Sequence, residues 1–208
     1  MDIHSLIEKF RGLGNAEIGR GPKSYNPPNL SMLKEIETFL EEYPFLKQDQ
    51  GYVDFLENYA GAFINWPNEE LTIDLFGFDD KVATHIVKED GFIVDEAGFL
   101  CFCDTAPRIE VNEKAKLESR LGKEIFFKDQ LGLQYCFDAS GKRQPGIYLT
   151  TSYHKNKSFI QFGIWYCETF SGWFEALIEK KGQLLQDVIN SRGWEIIEFS
   201  EPYPNPNT

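Results

Sequence analysis

Long apolar runs are missing from this chain, and with them a whole class of protein. No stretch approaches the roughly 20 apolar residues that a membrane-crossing helix needs, so no membrane partner is expected. The opening residues, "MDIHSLIEKFRGLG", meet charge too early for a secretory leader, which makes the cytosol the expected compartment. Histidine is scarce, with His4, His85 and His154 scattered, and there are four cysteines without Cys-x-x-Cys spacing. A zinc knuckle therefore lacks its pattern, and no metal or cofactor is expected. A Gly-rich phosphate loop, a nucleophile elbow and a His-containing metal motif are also absent.

Positive charge is in short supply too. The formal net charge is -12, from 33 acidic and 21 basic residues. Between Asn26 and Asp80 twelve acidic residues meet only Lys34 and Lys47. A chain so acidic is a poor partner for nucleic acid, because phosphate binding draws on clusters of Lys and Arg. Any partner of this segment should be a basic protein. The plainer reading of the same charges is a solvated face that keeps the protein soluble.

Apolar residues, by contrast, are plentiful. At 208 residues, with 42% hydrophobic residues and 18 Phe, the chain can bury one sizeable core. Ile3, Leu6, Ile7, Phe10 and Leu13 recur at helical spacing and predict a first helix over 2–13, stopped by Gly14. "GNAEIGRGPKSYNPPN" reads as a linker. Asn29 can cap a second helix whose buried stripe is Leu33, Ile36, Leu40 and Tyr43, ending near Pro44. In "GYVDFLENYAGAFI", Tyr52, Phe55, Leu56, Tyr59 and Phe63 share one helical face, with Asp54 and Glu57 opposite and Gly61 as the stop.

After Trp66 the texture changes to strands: "LTIDLFGF", "GFIVD", "GFLCFCDT", "EIFFK", "LQYCFD", "GIYLTT" and "SFIQFGIWY" are short aromatic and branched runs between turn residues. Within "FLCFC", a regular strand turns Cys101 and Cys103 to the same face, about 6.6 Å apart. Reduced core thiols are the expected state there and at Cys136 and Cys167. Asn112 to Gly122 reads as a helical insertion. The last long helix is expected over 171–191, with Gly182 as a kink, and "GWEIIEFSEPYPNPNT" adds an edge strand and a Pro-rich tail. The expected fold is α+β: a central, mainly antiparallel sheet packed by N-terminal helices and a long C-terminal helix, in a single domain.

Several pieces together resemble the SUKH superfamily, the domain of the yeast cell-wall assembly regulator and of many bacterial immunity proteins. The pieces are Ile36 to Pro44 followed by Tyr52, Phe55, Leu56, Tyr59 and Gly61; "GFLCFCDTA"; "LQYCFDASG" with "GIYLTT"; and "ETFSGWFEAL" through Phe170, Trp173, Phe174 and Leu177. The likeness spans approximately 29–178. The usual Leu-Pro pair before the second helix is absent, Gly61 lacks a neighbouring glycine, and 112–122 lengthens the middle. On this likeness the chain divides into an N-terminal helix and linker over 1–25, a SUKH-like domain over 26–200 and a tail over 201–208.

The resemblance implies a binding protein without catalysis. The leading expectation is an immunity protein that binds and neutralises a cognate toxin, for instance a basic nuclease, through an acidic surface. A regulatory scaffold of the cell-wall assembly type is the alternative. The residues expected to carry binding are Asp54, Glu57, Glu69, Glu70, Asp79 and Asp80, with Trp66 as a candidate aromatic anchor, although its place at an element end favours a lid over the core. Trp165 and Trp173 read as core. A hydrolase or carbohydrate-active enzyme is a further alternative, since carboxylates and aromatics abound. Asp104 and Asp138, however, stand where turns need them.

Overall fold

In the computed structural model the described residues are 2–12, 17–18, 28–59, 62–66, 71–75, 98–105, 133–155, 158–180 and 195–202. They combine helices with an antiparallel sheet, the α+β arrangement. Helix α1 covers Ile3–Arg11, α2 Leu30–Glu42, α3 Gln50–Tyr59 and α4 Phe170–Glu179, with a 3-10 turn over Pro44–Gln48. The strands are β1 Glu17–Ile18, β2 Ala62–Trp66, β3 Leu71–Leu75, β4 Phe99–Thr105, β5 Leu133–Asp138, β6 Ile147–Lys155, β7 Ser158–Cys167 and β8 Glu195–Pro202. They pair in chain order, each antiparallel to the next.

Each helix starts where a side chain can satisfy an orphan N–H. Asp2 accepts from Ser5 N at 3.0 Å and Ser5 Oγ at 2.7 Å. Asn29 accepts from Ser31 N and Met32 N, and Thr169 from Gly172 N. Helix α2 gives way after Glu42 to Pro44, whose missing N–H suits the start of the 3-10 turn.

The helices bury their apolar stripes on one face of the sheet. Ile3, Leu6, Ile7 and Phe10 of α1, Ile36, Phe39 and Leu40 of α2, Phe55 and Leu56 of α3 and Phe174, Leu177 and Ile178 of α4 join one core. The sheet contributes Leu100, Tyr135, Phe137, Leu149 and Ile164 to it. Phe99, Cys136 and Tyr148 form a smaller cluster, with Cys101 and Trp165 packed against it. Alternation along each strand separates the two sets.

At one place that alternation breaks. Cys101 pairs with Cys136 and Cys103 with Tyr135, so Phe102 is an extra residue opposite no partner. This bulge corrects the expectation that Cys101 and Cys103 share a face. Cys103 enters the main core and Cys101 the smaller cluster. Phe102 enters the main core as well, with ring centroids 5.7 Å from Tyr52, 4.8 Å from Phe137 and 5.3 Å from Trp173.

Other expectations need revision. Phe63 belongs to β2 and not to the preceding helix, because α3 ends at Tyr59 and Phe63 pairs with Asp74 in the sheet. The expected linker contains β1, which pairs with β2 through Glu17 and Ile18. In α2 Phe39 is buried, whereas Leu33 and Tyr43 are half-buried. The insertion at 112–122, "GFIVD", "EIFFK", Leu13, Gly14, Gly61, the continuation of α4 beyond Lys180 with Gly182, and the tail after Pro202 lie outside the described residues.

Candidate functional site

The acidic segment becomes a surface through helical periodicity. On α2, Leu33, Glu37 and Leu40 follow at four- and three-residue intervals, and on α3 Gln50, Val53 and Glu57 do the same. These two faces, with Lys47 of the 3-10 turn and Asn58, line a groove of about 690 Å³. Its floor is apolar, from buried Leu40 and half-buried Leu33 and Val53. Exposed Glu37, Glu57 and Lys47 line it too, so the apolar side chains share the groove with two carboxylates and one ammonium group. Glu35, Glu41 and Glu42 are exposed elsewhere on α2.

Of the residues expected to bind, Glu57 therefore lines the groove. Asp54 is half-buried on α3 and accepts from Gln50 Nε2 at 2.8 Å, one helical turn away. Trp66 is the last residue of β2 and pairs with Leu71, and its side chain lies outside the description. Glu69, Glu70, Asp79 and Asp80 fall outside the described residues. Glu37 and Lys47 line the groove as well, outside the set expected from the sequence. Glu37 was legible in principle, since it stands four residues after Leu33 on a helix capped at Asn29.

A second cavity, of about 350 Å³, lies between the 3-10 turn, the β5–β6 turn and the start of α4. Asp49, Asp138, Arg143 and Glu168 are on its walls. Asp49 accepts Tyr52 N–H through one oxygen at 3.2 Å and Phe170 N–H through the other at 2.6 Å. Burial raises its pKa from the usual carboxylate value, with these hydrogen bonds partly offsetting the rise.

Asp138 organises the β5–β6 turn. Its carboxylate accepts from Ser140 Oγ at 2.6 Å, Ser140 N at 3.2 Å, Arg143 N at 3.2 Å and Arg143 Nη1 at 3.0 Å. Burial alone would raise its pKa, but the donors from Ser140 and Arg143 outweigh that and hold it below the ordinary value. The Arg143 guanidinium also sits 4.4 Å above the centre of the Phe99 ring. This geometry suits the turn role read from the sequence.

Trp173 is fully buried, while Trp165 is half-buried and donates from Nε1 to Pro145 O at 3.1 Å. Among the described residues no group of three or more His, Cys, Asp or Glu side chains is placed to hold a metal ion, and no helix is long and apolar enough to cross a membrane. Comparison with family models, curated proteins and solved structures finds no match to this chain.

Proposed function

We propose that the chain is a non-catalytic binding protein of the SUKH type, one domain over about 26–200, that engages a basic protein through the groove between α2 and α3. The observation that carries the reading is a groove that brings Leu33, Leu40 and Val53 together with the carboxylates of Glu37 and Glu57, which outnumber Lys47, the one cation among its lining residues. An amphipathic segment bearing Lys or Arg beside an apolar strip matches it: the strip loses water on the floor and the cations meet the carboxylates. Charge of this sign chiefly raises the association rate and rejects acidic competitors.

A cytosolic immunity protein that neutralises a basic toxin fits these demands best. The residues of the SUKH resemblance support it, and so does the acidic excess from Asn26 to Asp80. The scaffold alternative calls for the same surface but several partners. The test is to mix the purified protein with the product of the toxin gene adjacent to its own and follow association while salt is raised. Salt-sensitive binding to that single protein supports immunity. Binding to cell-wall assembly proteins instead supports the scaffold.

The hydrolase alternative rests on the smaller cavity, where Asp49 and Glu168 share a wall with Arg143. Both oxygens of Asp49 are engaged by helix N–H groups, which favours a structural role. Turnover of a panel of oligosaccharides, lost in Glu168→Gln, would establish the enzyme reading over the binding one.

A further inference from the structure

Four free thiols are described, and the bulge in β4 sorts them. Cys103 is fully buried in the main core opposite Tyr135. Cys167 is half-buried, and burial pushes its thiol up to about 12, which leaves almost no thiolate near neutral pH. Cys101 and Cys136 differ from both, since they stand directly opposite one another on adjacent antiparallel strands. Both side chains belong to the smaller cluster, on the same face of the sheet.

Opposed residues of an antiparallel pair have Cα atoms about 4.5 or 5.5 Å apart. A disulfide accepts Cα separations of roughly 4.4–6.8 Å. Either type of pair therefore meets the Cα requirement. Cys136 Sγ lies 3.4 Å from Thr150 Oγ1 and Cys101 Sγ 3.5 Å from Cys103 O, so closure calls for rotation about each Cα–Cβ bond. Cys101 is half-buried and Cys136 is 1% exposed, which gives an oxidant one point of entry.

We propose that Cys101 and Cys136 form a reversible dithiol–disulfide site that responds to hydroperoxides. Cys101, as thiolate, attacks the peroxide oxygen; the O–O bond breaks, water leaves after taking up a proton, and Cys101 becomes a sulfenic acid. Cys136 then attacks the Cys101 sulfur, the S–O bond breaks, and the hydroxide departs as water with the Cys136 proton. Two thiols and one hydrogen peroxide give one disulfide and two waters, with the sulfurs oxidised and the peroxide reduced. The link ties β4 to β5 and closes the chain between positions 101 and 136. An excess of a small dithiol restores the reduced form by exchange.

The site is independent of the groove and of what binds there. To test it, the reduced full-length protein is treated with hydrogen peroxide, quenched by alkylation, and analysed by intact mass and peptide mapping. The expected result is loss of two hydrogens, a Cys101–Cys136 cross-linked peptide, and recovery with dithiothreitol. Cys101→Ser should abolish the link, while Cys167→Ser retains it. A sulfinic acid on Cys101 with no cross-link, or a link between any other pair, would overturn the proposal. Because the map is made on the unmodified sequence, it stands even if a variant folds poorly.

Discussion

Asp49 and Phe170 are 121 residues apart in the chain, yet the Asp49 carboxylate accepts the Phe170 N–H at 2.6 Å. The other oxygen caps α3 at Tyr52 N. One side chain thus closes the starts of two helices and joins the N-terminal helical layer to α4. Replacing it takes the carboxylate from both N–H groups: Phe170 N loses its acceptor, while Tyr52 N keeps the backbone carbonyl of residue 49 at 3.0 Å. Asp49→Ala should destabilise the protein by roughly 2–4 kcal/mol, read by urea denaturation. A loss within experimental error would mean that the clamp does not hold the helices.

Asp138 sets an acid limit on stability. Its folded pKa lies below the ordinary 3.8, so its contribution is fully present above pH 3.8 and is lost as pH falls through the folded value. Asp49 has the opposite sign: its pKa is raised, so the folded state holds its proton more tightly, a contribution fully present below pH 3.8 and lost as pH rises through the folded value. Asp138→Asn removes the charge of a partly buried ion pair with Arg143 and should cost about 3 kcal/mol near neutral pH. The gap in Tm between this variant and the wild type should narrow as pH drops below 3.8. A gap that stays constant would assign Asp138 no linked ionisation.

Gly146 has φ 137, and a Cβ there would collide with Cys167 O and stand 2.7 Å from Trp165 Nε1. Strain and backbone collision act together. Gly146→Ala should cost at least about 2 kcal/mol, measured by thermal or urea unfolding. Alanine at Gly141 meets open space, so its penalty comes from φ 65 alone and should be smaller.

Tyr52 is packed against Phe102, Phe137 and Phe170, with its hydroxyl buried and without a hydrogen-bond partner among the described residues. Burial also pushes its pKa well above 10.0. The ring contributes packing while the hydroxyl carries an uncompensated desolvation cost. Tyr52→Phe should therefore be at least as stable as the wild type, by about 0–1.5 kcal/mol in urea unfolding. A clear loss would reveal a partner for that hydroxyl.

What the sequence made legible follows from local rules. The cap at Asn29, the stripe of α1 and the strands around Cys136, Leu149 and Ile164 each depend on neighbours a few residues away. The bulge at Phe102 was invisible because it depends on which residues of β5 lie opposite. In the sequence the apolar period of α3 continues past Tyr59 to Phe63, whereas pairing with β3 claims that residue for the sheet. Asp49 carries a helix-start signal before Gln50, but its second partner, Phe170, comes from the far end of the fold. Of the acidic segment, Glu57 could be assigned to a charged face from sequence, while the groove itself needed the second helix beside it.

The central claim is electrostatic recognition of a basic partner by the α2–α3 groove. Its direct measurement is the association rate with an amphipathic test peptide bearing Lys and Arg beside an apolar strip, from about 50 mM to about 500 mM salt, for the wild type and for Glu37→Lys/Glu57→Lys. Both positions are exposed, so the fold should tolerate the change. The account predicts a wild-type rate that falls steeply with salt and a low-salt rate roughly 10-fold or more slower in the double variant. Equal rates for the two proteins, indifferent to salt, would contradict it.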